Sequence, residues 1–600
     1  MIWLRRRLRL DGLDDDRGMA LAIAVVFGTV IVFMVASAVA VATSGIRKSV
    51  TDADWNSALS AAYAGVQDYE ARLSNDTGYT QYGNPAAPFS ASSAALLTLP
   101  AGGAANKAFG TGADGDWATV QGGDGRAQYR YEVDSSKYYS SGIVRIRSTG
   151  KVGSAVRSVV ASVRQQGFVD FLYFTDYEIQ DPVMTGASAT DCVKYAWQGR
   201  PVAAYGSNLC GEIAFGGNDT IDGPAHSNDT MRICDATFTG QVTTSNPRAT
   251  GLRYSRLNSY GGSCTGQQFA PGVTQPGFTS TIDMPATNAA QKSATRSDQG
   301  VGRQAGCLYT GPTNIVFNAN GTMTVKSPYT SFTETAGDGA TSGSNTNGCG
   351  LPGTANGQLG SAAGATVAVP DNNLIYVQNV PSATSDKNSV PESRLRTACN
   401  TENGVGYPAQ NENVVSASPC SYGSRSGDAF VKGVLQGKVT VAAENYIYVT
   451  GDVTYADSSS DVLGLSATNA IQVWNPMNSS ACGWQGSQRC YTSLLQNNGR
   501  EIDAAMISAA HTVQVQNSNY GGSRGTLKIV GAIAQKFRGV VNTGGNGYVK
   551  NYVYDARLKH TAPPKFLNPV TTTYGITSIG EVSPAYVVSG VCARVNGNCV

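Results

Sequence analysis

Asp219, Asp222, Asp229 and Asp235 fall close together around His226, one of only three histidines in the chain. Clustered carboxylates are what glycoside hydrolysis needs, one as general acid and one as base or nucleophile. Asp and Arg around a bound cation would instead serve a polysaccharide lyase. The local sequence reads differently. Asn218-Asp219-Thr220, Asp222-Gly223 and Asn228-Asp229-Thr230 are turn-formers. No catalytic residue is therefore assigned, and the chain is expected not to be an enzyme.

Other chemistry finds less support. The sequence contains no His-Glu-x-x-His, no phosphate loop and no EF-hand. Gly110-Thr111-Gly112-Ala113-Asp114-Gly115 has the glycine spacing of a dinucleotide loop, but no strand feeds it. Asp452, Asp457 and Asp461 surround a serine run and could hold calcium; a solvated loop is the reading adopted. There is no Cys-x-x-Cys, and His226, His511 and His560 stand away from any cysteine pair at zinc-finger spacing. No metal and no cofactor is expected. A net charge of +2, with no basic stripe beyond the first residues, gives no argument for nucleic acid.

The 12 cysteines all lie between Cys192 and Cys599. An even count outside the membrane argues for disulfides. Cys482/Cys490 and Cys592/Cys599 are close enough for local loops. Sequential pairing extends this to Cys192/Cys210, Cys234/Cys264, Cys307/Cys349 and Cys399/Cys420.

The elements that carry these residues are mainly β. Charged residues make up 14% of the chain, against about 25% in an ordinary domain. Glycine is abundant, with 70 in 600 residues, and helix formers are scarce after Leu73. Ala127–Val133, Gly142–Ser148 and Ala155–Arg164 alternate as strands, with a turn at Gly150-Lys151-Val152-Gly153. Further on, Asn445-Tyr446-Ile447-Tyr448-Val449 aligns with Asn469-Ala470-Ile471-Gln472-Val473, 24 residues later. Both align with His511-Thr512-Val513-Gln514-Val515, and Asn373-Leu374-Ile375-Tyr376-Val377 lies three such periods before Asn445. A repeat of this length with a fixed Asn predicts a parallel β-helix, in which Asn373, Asn445, Asn469 and His511 would form a ladder at one bend.

Ahead of all this stands an apolar run. No charge occurs between Arg17 and Arg47. As a helix this spans roughly 40 Å, more than the ~30 Å hydrocarbon core. Arg5, Arg6, Arg7, Arg9 and Arg17 precede it, so the N-terminus is expected in the cytoplasm and the bulk outside. Ala-x-Ala triplets keep signal cleavage after Ala40 or Ala42 open. Ile23, Phe27 and Phe33 lie in the run. Behind it Trp55, Leu59, Ala62, Val66, Tyr69 and Leu73 recur at helical spacing. That stripe could pack on its own domain or on neighbouring subunits.

The segment Arg17-Gly18-Met19, with the continuous helix behind it, resembles the type IV pilin superfamily and its prepilin methylation-type motif. The resemblance implies cleavage between Gly18 and Met19, and a helix that serves as membrane anchor and filament core. Major pilins carry a Glu four residues past the new N-terminus; here Ile23 stands there. PilX-type minor pilins and K-type minor pseudopilins share that departure, which suits a subunit with nothing above it. Gly223-Pro224-Ala225-His226-Ser227-Asn228, Gly539-Val540-Val541, Tyr552-Val553-Tyr554-Asp555 and Pro563-Pro564 resemble β-helical regions of pilin-associated surface proteins.

The expected architecture follows: leader 1–18, anchor and amphipathic helix 19–76, small antiparallel β-sheet 77–168, and β-helix 169–600 with excursions at about 243–372 and 378–429. The expected function is that of a minor pilin or pilus-associated surface protein, displaying its β-helix for adhesion or filament assembly. Expected partners are other pilins, the assembly machinery, the membrane and a surface ligand or glycan. A membrane-anchored polysaccharide-active enzyme and a non-pilus surface protein remain the alternatives.

Overall fold

The computed structural model describes residues 16–599, except 84–88, 90–98, 101–104, 111–115, 123–124, 137, 139–142, 166, 202–209, 218, 259–260, 299–303, 338–341, 396–398, 400, 417–418, 497, 560, 571–573, 585–593 and 596–597. The leader before Asp16 and the glycine-rich stretch 111–115 lie outside these residues. The fold is mainly β, with one long N-terminal helix and a small antiparallel sheet beside it.

Helix α1 runs unbroken over Asp16–Asn75, 60 residues without a proline. Its second half lies on an antiparallel sheet built from Gln128–Asp134, Ile143–Val152 and Ala155–Gln165. Ala62, Val66, Tyr69 and Leu73 enter one core with Tyr131, Val133, Ile146 and Ala161. The strands expected from alternation are present, but the second runs through the expected turn. Gly150 stays in the strand, paired with Tyr129 and Arg157, and the chain reverses at Gly153 and Ser154. The reason is the helix. A Cβ at Gly150 would stand 2.0 Å from the Ala58 carbonyl oxygen, so only glycine lets the strand pass this close beneath α1.

The sheet is completed from far along the chain. Tyr574–Val582 pairs antiparallel with Ala155–Gln165, Tyr574 opposite Gln165 and Ile579 opposite Ala161. The unit expected over 169–600 thus gives this strand to the first sheet. A strand of exposed, mixed composition carries no local sign of a partner some 400 positions away.

Between Gln165 and Tyr574 the strands stack in parallel ladders. In one ladder Cys307, Ile375, Val441, Leu465, Met506, Ile533, Tyr173, Ala225 and Val242 lie opposite one another in succession. A second aligns Ile315, Val431, Val449, Val473 and Val515. A third aligns Val453, Ile502, Ile529, Tyr552, Ile221 and Phe238. All of these side chains are buried in a single core. Each aliphatic member removed from water contributes about 1.5–3 kcal/mol. The repeat appears directly in the register, since Ile447 pairs with Ile471 and Ile471 with Val513.

The order of stacking is not the order of the chain. Tyr173, near the start, rests on Ile533, near the end. Residues 173–244 extend the stack beyond that point, and Cys307 begins at its far end. The segment between them returns along the outside. Asn288 donates from Nδ2 to the carbonyls of Ala443 and Ser466, at 2.8 and 2.9 Å, and ties it down. Cys307–Thr310 and Thr313–Asn318 belong to the ladders although they fall within the stretch expected as an excursion. The excursion 474–499 holds a hairpin, Met477–Cys482 with Gln488–Ser493, which explains the wider spacing between Ile471 and Val513.

Candidate functional site

The first half of α1 has no partner among the described residues. Met19, Ile23, Phe27 and Phe33 are all exposed, Phe33 at 76%. Helix α1 is long and apolar enough to cross a membrane. Gly18 lies within it. The stripe behind divides. Val66, Tyr69 and Leu73 are fully buried against the head sheet, and Leu59 packs at the edge of that core. Trp55 stays 48% exposed, with the Arg157 guanidinium 5.0 Å from its ring centre. Arg157 is in turn ion-paired with Glu581 of the returning strand. Tyr69 meets Tyr79 and Tyr131 edge to face, at 5.5 and 5.3 Å. These contacts hold the second half of the helix on the head sheet.

The carboxylates around His226 are not gathered into one site. Asp219 pairs with Lys550 at 2.8 Å. Asp222 accepts from the Thr239 hydroxyl at 2.5 Å, and Asp235 from the Gly266 amide at 2.6 Å. Asp229 is buried, accepts from the amides of Glu178 and Ala196, and pairs with Arg200. His226 is itself fully buried against the rings of Phe171 and Phe174. Its Nε2 lies 3.0 Å from Asn228 Oδ1 and its Nδ1 2.9 Å from the Thr243 hydroxyl. Asn228 Oδ1 also accepts from the Ile282 amide, so the neutral Nε2–H form of the ring satisfies every partner. Burial pushes the imidazole down to about 4, which keeps it neutral near pH 7. The neighbouring Arg538 is buried, pairs with Glu178 at 3.0 Å and lies 3.6 Å over Phe215. Together these groups bind the chain's early strands to its late ones.

The acidic and cysteine-rich positions are likewise occupied. Asp457 accepts from Ser459 and Ser460, and Asp461 from the amides of Gly437 and Asp457. Asp452 accepts from the Glu501 amide. Each carboxylate closes a turn or bridges two strands. Cys234, Asp235 and Cys264 lie together, but the two sulfurs are joined in a disulfide, which removes both as thiolate ligands. Cys192–Cys210, Cys307–Cys349, Cys399–Cys420 and Cys482–Cys490 are the other bonds among the described residues. Cys592, of the expected Cys592/Cys599 pair, lies outside the described residues, as does His560.

Of the four ladder positions, two meet. Asn469 Nδ2 donates to Asn445 Oδ1, and Asn445 Nδ2 donates to Asp428 Oδ1 at 2.6 Å. Asp428 was not read from the sequence; the Asp-Ala-Phe-Val phrase ahead of a strand was the available signal. His511 is in register with Asn469, yet its Nδ1 turns to Asp181 Oδ2 at 2.5 Å. Asn373 does not join. It stands opposite Val439, six positions before Asn445, and its Nδ2 donates to the Gln304 carbonyl.

The geometry defines a class: a mainly β, disulfide-bearing body carried on one long, partly naked apolar helix. No family model and no curated protein matches the chain. Among solved structures it is similar to the competence-associated pilin ComZ from Thermus thermophilus, at 12% identity and a TM-score of 0.26, over 88% of this chain and 97% of that one. A score at that level is below that of a shared fold, so it adds nothing to the geometry.

Proposed function

We propose that this chain is a minor pilin or pilus-associated surface protein of PilX-like type. Cleavage falls between Gly18 and Met19. The apolar half of α1 anchors the protein in the membrane, N-terminus inward, and then packs among the helices of neighbouring pilins. One observation carries this reading. A single helix is naked and apolar over its first half, and over its second half is the core of a small antiparallel sheet. That division suits a shaft that meets other subunits above and its own head below.

The ladders support reading the large module as a parallel β-helix. Three inward columns share one core, and coils stacked in parallel are what bring them together. The module leaves the head at Gln165 and rejoins it at Tyr574, so two adjacent strands hold it. Its bulk is ill suited to close helical repetition in a shaft, which favours a tip or sparse position. Adhesion or the start of filament assembly is the role this arrangement serves.

The test is surface display. The parent protein is expected in the fraction sheared from intact cells together with other pilins. Gly18→Glu, which spoils the cleavage site, should stay in the membrane fraction at its uncut mass. Equal shedding of parent and variant would remove the pilin reading and leave an anchored surface protein.

A further inference from the structure

A cleft of about 470 Å³ lies on the outer face of the second ladder. Its floor is made by Tyr448, Gln472 and Gln514, which sit opposite one another on three consecutive parallel strands. Successive side chains are therefore about 4.8 Å apart, close to the spacing of hydroxyls along a sugar chain. Gln516 and Asn517 form one wall. The other comes from Val414, Ser416, Pro419 and Ser421, beside Cys420, which is bonded to Cys399.

Two features point to a ligand. Gln472 is only 7% exposed, lines the cleft, and its Oε1 accepts no hydrogen bond. An unmade bond at a buried amide costs about 1–3 kcal/mol, and turning the amide over would bring Oε1 to a ligand hydroxyl in the cleft. In addition, the described lining carries amides, hydroxyls and tyrosines but no Asp, Glu, Lys, Arg or His. A site without charge has nothing to offer phosphate, sulfate or a basic peptide. Side-chain amides present a donor and an acceptor together, which matches vicinal hydroxyls.

We propose that this cleft binds a neutral oligosaccharide through Gln472 and Gln514. The inference rests on the display reading above and names what the displayed module touches.

The test uses the full chain in lipid nanodiscs, titrated calorimetrically with maltohexaose, cellohexaose, N-acetylchitohexaose and mannohexaose. A heparin hexasaccharide and a neutral Ser/Asn hexapeptide serve as comparison. At least one neutral hexasaccharide should bind. Its affinity should fall about tenfold or more in Gln514→Ala and Gln472→Glu, and stay unchanged when NaCl is raised to about 0.5 M, since no charge is there to be screened. Gln514 is half-buried, so Gln514→Ala keeps the test sound if the Gln472 variant unfolds. The proposal is overturned if none of the four sugars binds, if binding survives both substitutions, or if only heparin or the peptide binds. Processing at Gly18 and shedding from cells are scored separately. Absence of sugar binding in the parent protein with normal shedding would refute the cleft alone. Sugar binding by a protein that is never cut would refute the pilin reading alone.

Discussion

Asp428 shows how a single side chain can set the behaviour of a bend. It is fully buried, accepts from the Asn445 side chain and the Tyr446 amide, and its Oδ2 has no partner. Burial raises its carboxyl to about 7, against an ordinary value near 4. The folded state therefore holds this proton more tightly than the unfolded chain. The resulting stabilisation is fully present below about pH 4 and is lost as pH rises through about 7. Asp428→Asn keeps an acceptor toward Asn445 and removes the titration. Thermal unfolding followed by circular dichroism at pH 5, 6.5 and 8 should show a parent-minus-variant difference in Tm that shrinks steadily with rising pH. A difference that does not change with pH would contradict the assignment. His226 works in the opposite sense, losing stabilisation as pH falls from about 6.5 toward 4, so only the comparison with the variant isolates Asp428.

At the scale of elements, close approach and local clamping decide what survives substitution. Gly150 lies directly beneath α1, with no room for a side chain. Gly150→Leu should lift the helix from the sheet and cost about 1–3 kcal/mol. Hydrogen exchange would show lost protection at residues 58–73 and none in the ladders; uniform loss would mean that head and module do not unfold separately. The hairpin Met477–Ser493 is clamped by Cys482–Cys490 and stands outside the ladders. Cys482→Ser with Cys490→Ser should speed exchange between residues 478 and 492 and leave the global Tm within a few degrees. Much of this was legible in the sequence. The head strands alternate, five cysteine pairs follow chain order, and the 24-residue repeat becomes the Ile447–Ile471 register. What escaped was non-local. Asn373 shares the repeat's phrase, yet pairing with Val439 shifts it off the bend, because register is set by whole strands and not by one residue. The turns around His226 were legible only in part, since Thr220–Asp222 is a strand, and the ion pairs with Lys550 and Arg200 were not legible.

Taken whole, the molecule is a mount and a load. The chain builds a helix and four strands, the short Ala118–Thr119 included, departs at Gln165, folds several hundred residues into stacked ladders, and returns at Tyr574 beside the point of departure. That closure requires the early strand at Tyr173 to rest on the late strand at Ile533, which is why stacking order and chain order differ. The Arg157–Glu581 pair beside Trp55 joins the returning strand to the base of the helix. Everything in this account depends on what the naked half of α1 meets, and that depends on how the N-terminus is processed. The most direct measurement is the N-terminal sequence of the protein recovered from membranes and from sheared surface filaments. The account predicts a chain that begins at Met19 in both. A chain that retains Met1–Gly18, or that begins after Ala40 or Ala42, would contradict it.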